Sequence, residues 1–240
     1  MTDLLSHHSL DLATRYLDLA GVFASALLGG AIARVERLDL FGFLAVGIAS
    51  GLGGGIIRDV LLQHGTPVAL TDVAYLPTAI AGSLIAFAIN IGQHAWDRLF
   101  TALDAAVIGF WGVTGAHKTL AAGLGWLPAV LLGTMSAVGG GVTRDLMLGR
   151  VPAVFGGNAM YATVAAITSG IMVLCSYLNA PALGIILGIV VGLIVRVLAV
   201  RHGWGLPNGR DWQPHSRLAT VWQRGRRAIP RRTSARRSRP

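Results

Sequence analysis

Apolar residues in this chain come in long uninterrupted runs separated by short polar links. A helix that crosses a bilayer needs about 20 mostly apolar residues. Seven runs approach that length, at about 16–33, 41–62, 74–92, 101–120, 126–148, 157–177 and 182–200. The links are charged (Arg34-Val35-Glu36-Arg37-Leu38-Asp39), turn-like (Gly65-Thr66-Pro67, Gly149-Arg150-Val151-Pro152) or very short (Asn179-Ala180-Pro181), and none is long enough to be a domain. The predicted fold is an all-α integral membrane protein with seven transmembrane helices. The first run is read as a retained span: a signal peptide wants a basic start, whereas residues 1–15 hold Asp3, Asp11 and only Arg15.

Two runs are poor local choices for a helix in lipid. The second contains Gly53-Gly54-Gly55-Ile56-Ile57-Arg58-Asp59 and the fifth contains Gly139-Gly140-Gly141-Val142-Thr143-Arg144-Asp145, 86 positions later. Glycine weakens a helix, and ionisable groups within a membrane are costly and face a cavity or a partner. The same offset carries Asp18 onto Asp104, Leu62 onto Leu148 and Tyr75 onto Tyr161, with Pro67 and Pro152 one residue out of register. The chain therefore reads as two three-helix repeats, 16–92 and 101–177, with a seventh helix at 182–200 outside the symmetry and a basic tail at 201–240. Three spans per repeat is an odd number, so the second copy enters the membrane from the opposite side. That is an inverted repeat about a two-fold axis in the membrane plane. It puts the glycine triplets near the midplane with an Arg-Asp pair on either side.

The triplets carry two readings. Small residues let helix backbones approach closely in membranes. Alternatively, a kink or break frees carbonyls toward an aqueous path, which is tolerated only where a cavity exists. The ionisable residues beside the triplets favour the second. The ladder Gly184-Gly188-Gly192 in the seventh span suits a helix–helix contact, including one between subunits. Neighbouring Arg and Asp do not face each other on a helix, so each is expected to find a partner elsewhere. Depth in the membrane predicts the pairs Asp18–Arg58 and Asp104–Arg144, either as static braces or as gates at the two ends of a path. Lys118, near the end of the fourth span, is expected to snorkel to the interface or else to sense the membrane potential.

Composition sharpens the class. The chain of 240 residues is 53% hydrophobic and 13% charged, against about 25% charged in soluble domains, with mean hydropathy +0.61. The net charge of +9 is local: residues 201–240 hold eleven arginines and one acid, Asp211. A tail this basic is expected on the cytoplasmic side, which puts the N-terminus outside. Arg34, Arg37, Arg98 and Arg150 fall in inside links on that topology. Beside Trp204, Trp212 and Trp222 the tail favours anionic lipid head groups; it is expected to be mostly disordered, and nucleic acid is not expected. The lone Cys175 excludes an intrachain disulfide. The chain has no phosphate loop, clustered metal ligands, serine elbow or dinucleotide fingerprint, so neither an enzyme nor a bound metal or cofactor is expected.

With the doubled Gly-Gly-Gly-x-x-Arg-Asp, the seventh span and the N-outside topology in place, residues from about 16 to 200 resemble the prokaryotic branch of the trimeric intracellular cation channel family, whose domain is also labelled a glycine transporter domain. The resemblance implies a homotrimer with a pore in each subunit. That pore is lined by kinked second and fifth helices, is permeable to monovalent cations, chiefly potassium, and has Gly53, Gly54, Gly55, Gly139, Gly140 and Gly141 at the kinks. The plasma (inner) membrane is the expected location. The competing expectation is a carrier for glycine or another small zwitterion, with alternating access at the midplane.

Overall fold

The structure, a computed structural model, describes residues 2–89, 93–155 and 160–205. Its major elements are helices: α1 Thr2–Val35, α2 Leu40–Leu62, the four-residue α3 Val68–Thr71, α4 Tyr75–Ala88, α5 Gln93–Ala121, α6 Trp126–Met147, α7 Tyr161–Tyr177 and α8 Pro181–His202, with a 3-10 turn at Ala153–Phe155. Local chemistry sets several ends. Asp39 caps α2 by accepting from the Gly42 N–H at 2.8 Å. Pro181 occupies the first turn of α8, where a missing N–H costs nothing, and Gly203 closes that helix at φ +62°.

The helices follow the apolar runs but differ in length. Four described stretches are long and apolar enough to cross a membrane: Leu12–Val35 of α1, α2, α6 and α8. The expected third span, 74–92, is a 14-residue helix ending at Ala88. At 1.5 Å per residue it is about 21 Å long, short of a hydrocarbon core of about 30 Å. Arg34 of α1 finishes this short helix, donating to the Ala86 and Phe87 carbonyls at 2.6 Å each with its guanidinium 5.7 Å from the centre of the Phe43 ring. The expected sixth span, 157–177, begins as helix only at Tyr161. The expected fourth, 101–120, begins earlier, at Gln93.

Helices α1, α2 and α4 pack on one another, as do α5, α6 and α7; α2 against α6 and α1 against α5 join the two groups, and α8 lies on α5 and α7. The buried centre holds Val22, Ala26, Leu28, Leu52, Val107, Ile108, Trp111, Ala137 and Val164. Large apolar residues such as Leu131, Ile186 and Ile194 stay exposed, as suits a surface against lipid. Without a water-driven hydrophobic force between helices, close approach of small residues carries the packing. Equivalent positions do this in both groups. A Cβ on Gly47 would lie 2.0 Å from Ser83 Oγ, and one on Gly133 would lie 2.4 Å from Ser169 Oγ.

The ladder in α8 is used within the chain. Gly184 packs on Met172 and Cys175, Gly188 on Val113, and Gly192 on Thr168 and Gly109. It seats α8 on α5 and α7, so the helix–helix contact that the spacing suits is present and lies within the chain. The basic tail beyond Gly205, with its expected lipid contacts, lies outside the described residues.

Candidate functional site

α2 and α6 cross antiparallel at the two glycine triplets, and neither helix is interrupted there. A Cβ on Gly54 would sit 2.1 Å from the Ser136 carbonyl oxygen, and one on Gly140 would sit 2.1 Å from the Ser50 carbonyl oxygen. Gly53 faces Thr143, and Gly139 faces Gly54 and Ile57. Gly54, Gly139 and Gly140 thus let one backbone lie against the other while Gly53 makes room for the Thr143 side chain, so the break expected from the sequence is not observed. The third glycines differ. A Cβ on Gly55 would meet only Arg58 Nη2, at 3.8 Å, and one on Gly141 only Arg144 Nη2, at 3.7 Å.

Each third glycine opens toward a cluster of charges. At the first, α1 supplies Asp18, α2 Arg58 and Asp59, α4 Tyr75, and α5 Thr114 and Lys118. Asp18 accepts from the Tyr75 hydroxyl at 3.1 Å and from the Thr114 hydroxyl at 3.2 Å. Arg58 Nη1 stands 3.6 Å from Asp18 Oδ1, with both side chains almost wholly buried. The expected Asp18–Arg58 pair is therefore present. Lys118 ion-pairs with Asp18, which corrects the expectation that it snorkels: a buried carboxylate is the nearer stabiliser. The cavity between these groups, lined by Asp18, Gly55, Arg58, Tyr75 and Trp111, measures about 10 Å³. Beyond Lys118 and Asp59, a depression of about 240 Å³ reaches His64 and Thr66.

The second cluster is built from α5 (Asp104), α6 (Arg144, Asp145), α7 (Tyr161) and α8 (Arg196). Asp104 pairs with Arg196 at 2.9 Å, and the Arg196 guanidinium lies 4.8 Å from the centre of the Tyr161 ring. The expected Asp104–Arg144 pair is corrected. α8 packs on α5 and delivers Arg196 to Asp104, while Arg144 turns to its neighbour Asp145 at 2.9 Å. This cluster opens into a cavity of about 370 Å³ lined by Asp104, Gly141, Arg144, Arg150, Tyr161 and Arg196. Arg150 also pairs with Glu36 in the turn after α1. Because the end of α5 meets Asp18, α1 and α5 run antiparallel. Asp104 is fourteen residues before Lys118 on one helix, so the clusters are about 21 Å apart, at opposite ends of the crossing.

In both clusters the Arg and Asp of the motif bind each other, contrary to expectation. Arg58 Nε donates to Asp59 Oδ1 at 2.8 Å, and Arg144 Nε donates to Asp145 Oδ1 at 2.9 Å. The spacing rule describes Cβ directions; the long arginine arm folds back to its neighbour near the helix end. The other carboxylate oxygen holds the following link. Asp59 Oδ2 accepts from the Val68 N–H at 2.9 Å, at the start of α3, and Asp145 Oδ2 accepts from the Ala153 N–H at 3.0 Å, at the start of the 3-10 turn. These bonds span nine and eight residues, which accounts for the one-residue slip between Pro67 and Pro152.

Sequence reasoning missed the Arg196 partner, this bracing role and a clamp between Arg15 and Asp72. Arg15 Nε and Nη2 donate to the two Asp72 oxygens at 2.6 and 3.1 Å. These bonds, with the Ala74 N–H, hold the Asp72 carboxyl at a pKa of about 2, below the ordinary 3.8.

One family model, described as glycine transporter, matches residues 15–90 and again residues 101–177. The chain belongs to the TRIC/UPF0126 family. A UPF0126 membrane protein of Deinococcus radiodurans is 39% identical over 168 residues, covering 70% of this chain and 78% of that protein. The UPF0126 inner membrane protein YadS of Escherichia coli K12 is 31% identical over 196 residues, covering 80% and 94%. Among solved TRIC structures, the trimeric intracellular cation channel orthologue from Rhodobacter sphaeroides superposes with TM-score 0.74 at 27% identity, covering 80% of this chain and 98% of that one. Another TRIC cation channel superposes with TM-score 0.73 at 32% identity, covering 81% and 96%. The chain is thus an all-helical membrane protein with the TRIC channel fold, and its solved TRIC relatives are channels rather than enzymes.

Proposed function

We propose that this protein is a cation channel that conducts monovalent cations, chiefly potassium, along a path in each subunit of a homotrimer. In this reading seven helices cross the inner membrane as two inverted three-helix repeats (16–92 and 101–177) plus α8 at 182–200. The basic tail is cytoplasmic, and the N-terminus lies outside. The path runs along the α2–α6 crossing. Gly53, Gly54, Gly55, Gly139, Gly140 and Gly141 let the two helices shift against each other. Asp18, Arg58 and Asp59 form the gate at the outer end, and Asp104, Arg144 and Asp145 line the inner vestibule. Lys118, tied to Asp18, is the group on which membrane potential acts; one elementary charge carries about 2.3 kcal/mol per 100 mV.

The observation that carries this reading is the unequal pair of cavities at one crossing: about 370 Å³ beside Gly141 and about 10 Å³ beside Gly55. A path that is wide at one end and narrowed to about the size of one water at the other is a constricted conduit. The relatives with 27 and 32% identity are cation channels, which supports an ionic cargo. Purified protein in a planar bilayer with a potassium gradient tests it: unitary currents that reverse near the potassium potential are expected. Saturable glycine uptake into proteoliposomes without such currents would overturn it in favour of the carrier.

A further inference from the structure

Beyond the charged clusters, the two ends of the crossing differ again in their links. Glu36 follows the last residue of α1, and Ala122 follows the last residue of α5 at the same repeat offset. Both stand in the same turn. The N–H groups of Glu36, Arg37 and Leu38 donate to the Ile32, Arg34 and Ala33 carbonyls, and those of Ala122, Gly123 and Leu124 to the Lys118, Leu120 and Thr119 carbonyls. The offset also relates His64 to Arg150, each directly after a left-handed residue, Gln63 at φ +53° and Gly149 at φ +66°. At one end the Glu36 carboxylate joins Arg150 and ties the two links together. At the other, alanine stands where the glutamate does and histidine where the arginine does. A depression of about 240 Å³ lies between them.

The lining of this depression suits an anion with a short apolar part. Lys118 is one turn before Ala122 on the same face of α5, and it lines the depression together with the exposed His64 and Thr66. An ammonium carries three donors, and Asp18 accepts from that of Lys118, so donors remain for a second acceptor. Asp59, the carboxylate in this wall, already accepts from Arg58 Nε and from the Val68 N–H, so its charge is answered. Leu62, Val68 and Ala121 supply an apolar side, which a phosphate or sulfate would leave unmatched. We infer that this depression binds a short-chain monocarboxylate from solution, its carboxylate against His64 and Lys118, in the place that the Glu36 side chain holds at the other end. The site holds whatever the protein conducts.

Butyrate titrated into the full chain in a neutral detergent, followed by saturation-transfer NMR, tests it, with butyramide as the uncharged match. Saturable butyrate binding is expected, with butyramide about tenfold weaker or more. Ala122→Glu supplies the carboxylate from the chain itself, as Glu36 does, and is expected to abolish butyrate binding. His64→Ala is expected to weaken it about fivefold, and Glu36→Ala, at the other end, to leave it unchanged. His64 and Glu36 are exposed and Ala122 is half-buried, so all three variants are expected to keep the wild-type thermal unfolding. No saturable binding by wild type, butyramide bound as tightly as butyrate, or wild-type affinity in either His64→Ala or Ala122→Glu overturns the site. So does a loss in Glu36→Ala as large as in Ala122→Glu.

Discussion

The Arg58 and Arg144 clusters are built from equivalent motif residues, yet the cavity among the charges is about 10 Å³ at the first and about 370 Å³ at the second. Both have an Arg bound to its neighbouring Asp, an Asp bracing the next link, a Tyr from the first turn of the third helix of its group, and a third glycine without packing neighbours. They differ in what reaches the central aspartate. Asp18 receives Arg58 and Lys118, both from within the repeats. Asp104 receives Arg196 from α8, and Arg144 is left toward a cavity of about 370 Å³. The position of Lys118 is filled by Ile32 in the second cluster, an apolar wall where the first has a cation. Duplication thus supplies the frame, and two side chains outside the motif, Lys118 where its counterpart is Ile32 and Arg196 from the unduplicated α8, make the two clusters differ.

The largest expected effect separates the two arginines. Arg58 is 1% exposed, and removing one partner of a buried pair costs about 3–5 kcal/mol. Arg144 is 11% exposed and borders the open cavity. Denaturant unfolding should therefore show Arg58→Ala far less stable than Arg144→Ala, with the latter near 1 kcal/mol in cost; equal losses would erase the distinction between the buried and the cavity-facing arginine. The crossing glycines sharpen the opposite point. Gly54→Ala and Gly140→Ala each force a Cβ against a carbonyl oxygen at 2.1 Å, and both should cost about 1–3 kcal/mol, equally, because the crossing itself is symmetric.

Next come the braces. Asp59→Ala and Asp145→Ala each lose a hydrogen bond to the start of a following link, worth about 1–2 kcal/mol by analogy with a lost helix cap. Faster proteolysis in 63–72 for the first variant and in 148–155 for the second is the check. The smallest effect is one-sided. Asp72 has its carboxyl lowered to about 2 by Arg15 and the Ala74 N–H. A lowered folded-state pKa stabilises the fold above the ordinary pKa of 3.8 and loses that contribution as pH falls toward 2. Wild type should exceed Asp72→Asn in Tm at pH 6, with the gap closing between about pH 4 and pH 2. The residue equivalent to Arg15 in the second repeat is Thr101, so no matching acid-sensitive clamp is expected there.

The helices were legible because apolarity is written locally: all seven runs are helix over most of their length, with ends shifted at α4, α5 and α7. The fixed offset also located Asp18, Asp104, both Arg-Asp pairs and both tyrosines. It could have found more. Gly29 and Gly115, Gly47 and Gly133, Ser50 and Ser136, and Ser83 and Ser169 share the offset and make matching helix contacts, but small residues repeat too often in such a chain to stand out. Arg196 was invisible to that method because α8 has no repeat counterpart. The folded-back Arg-Asp pairs were missed because Cβ spacing says little about where a long guanidinium arm ends.

Read alone, the residues establish a helical membrane chain, duplicated about two glycine-rich stretches, with charges placed where lipid would penalise them unless they had partners. Those conclusions rest on composition and spacing, which act over one helix length. Which charge meets which was decided in three dimensions. Asp18 and Lys118 are 100 residues apart, and Asp104 and Arg196 are 92 apart; only helix packing brings them together. The same packing decides that the glycines hold α2 against α6 without breaking either helix, and that the cavity at one end of the crossing is far smaller than at the other. A salt bridge or a cavity depends on a few ångströms at helix ends, a scale at which a linear pattern is silent.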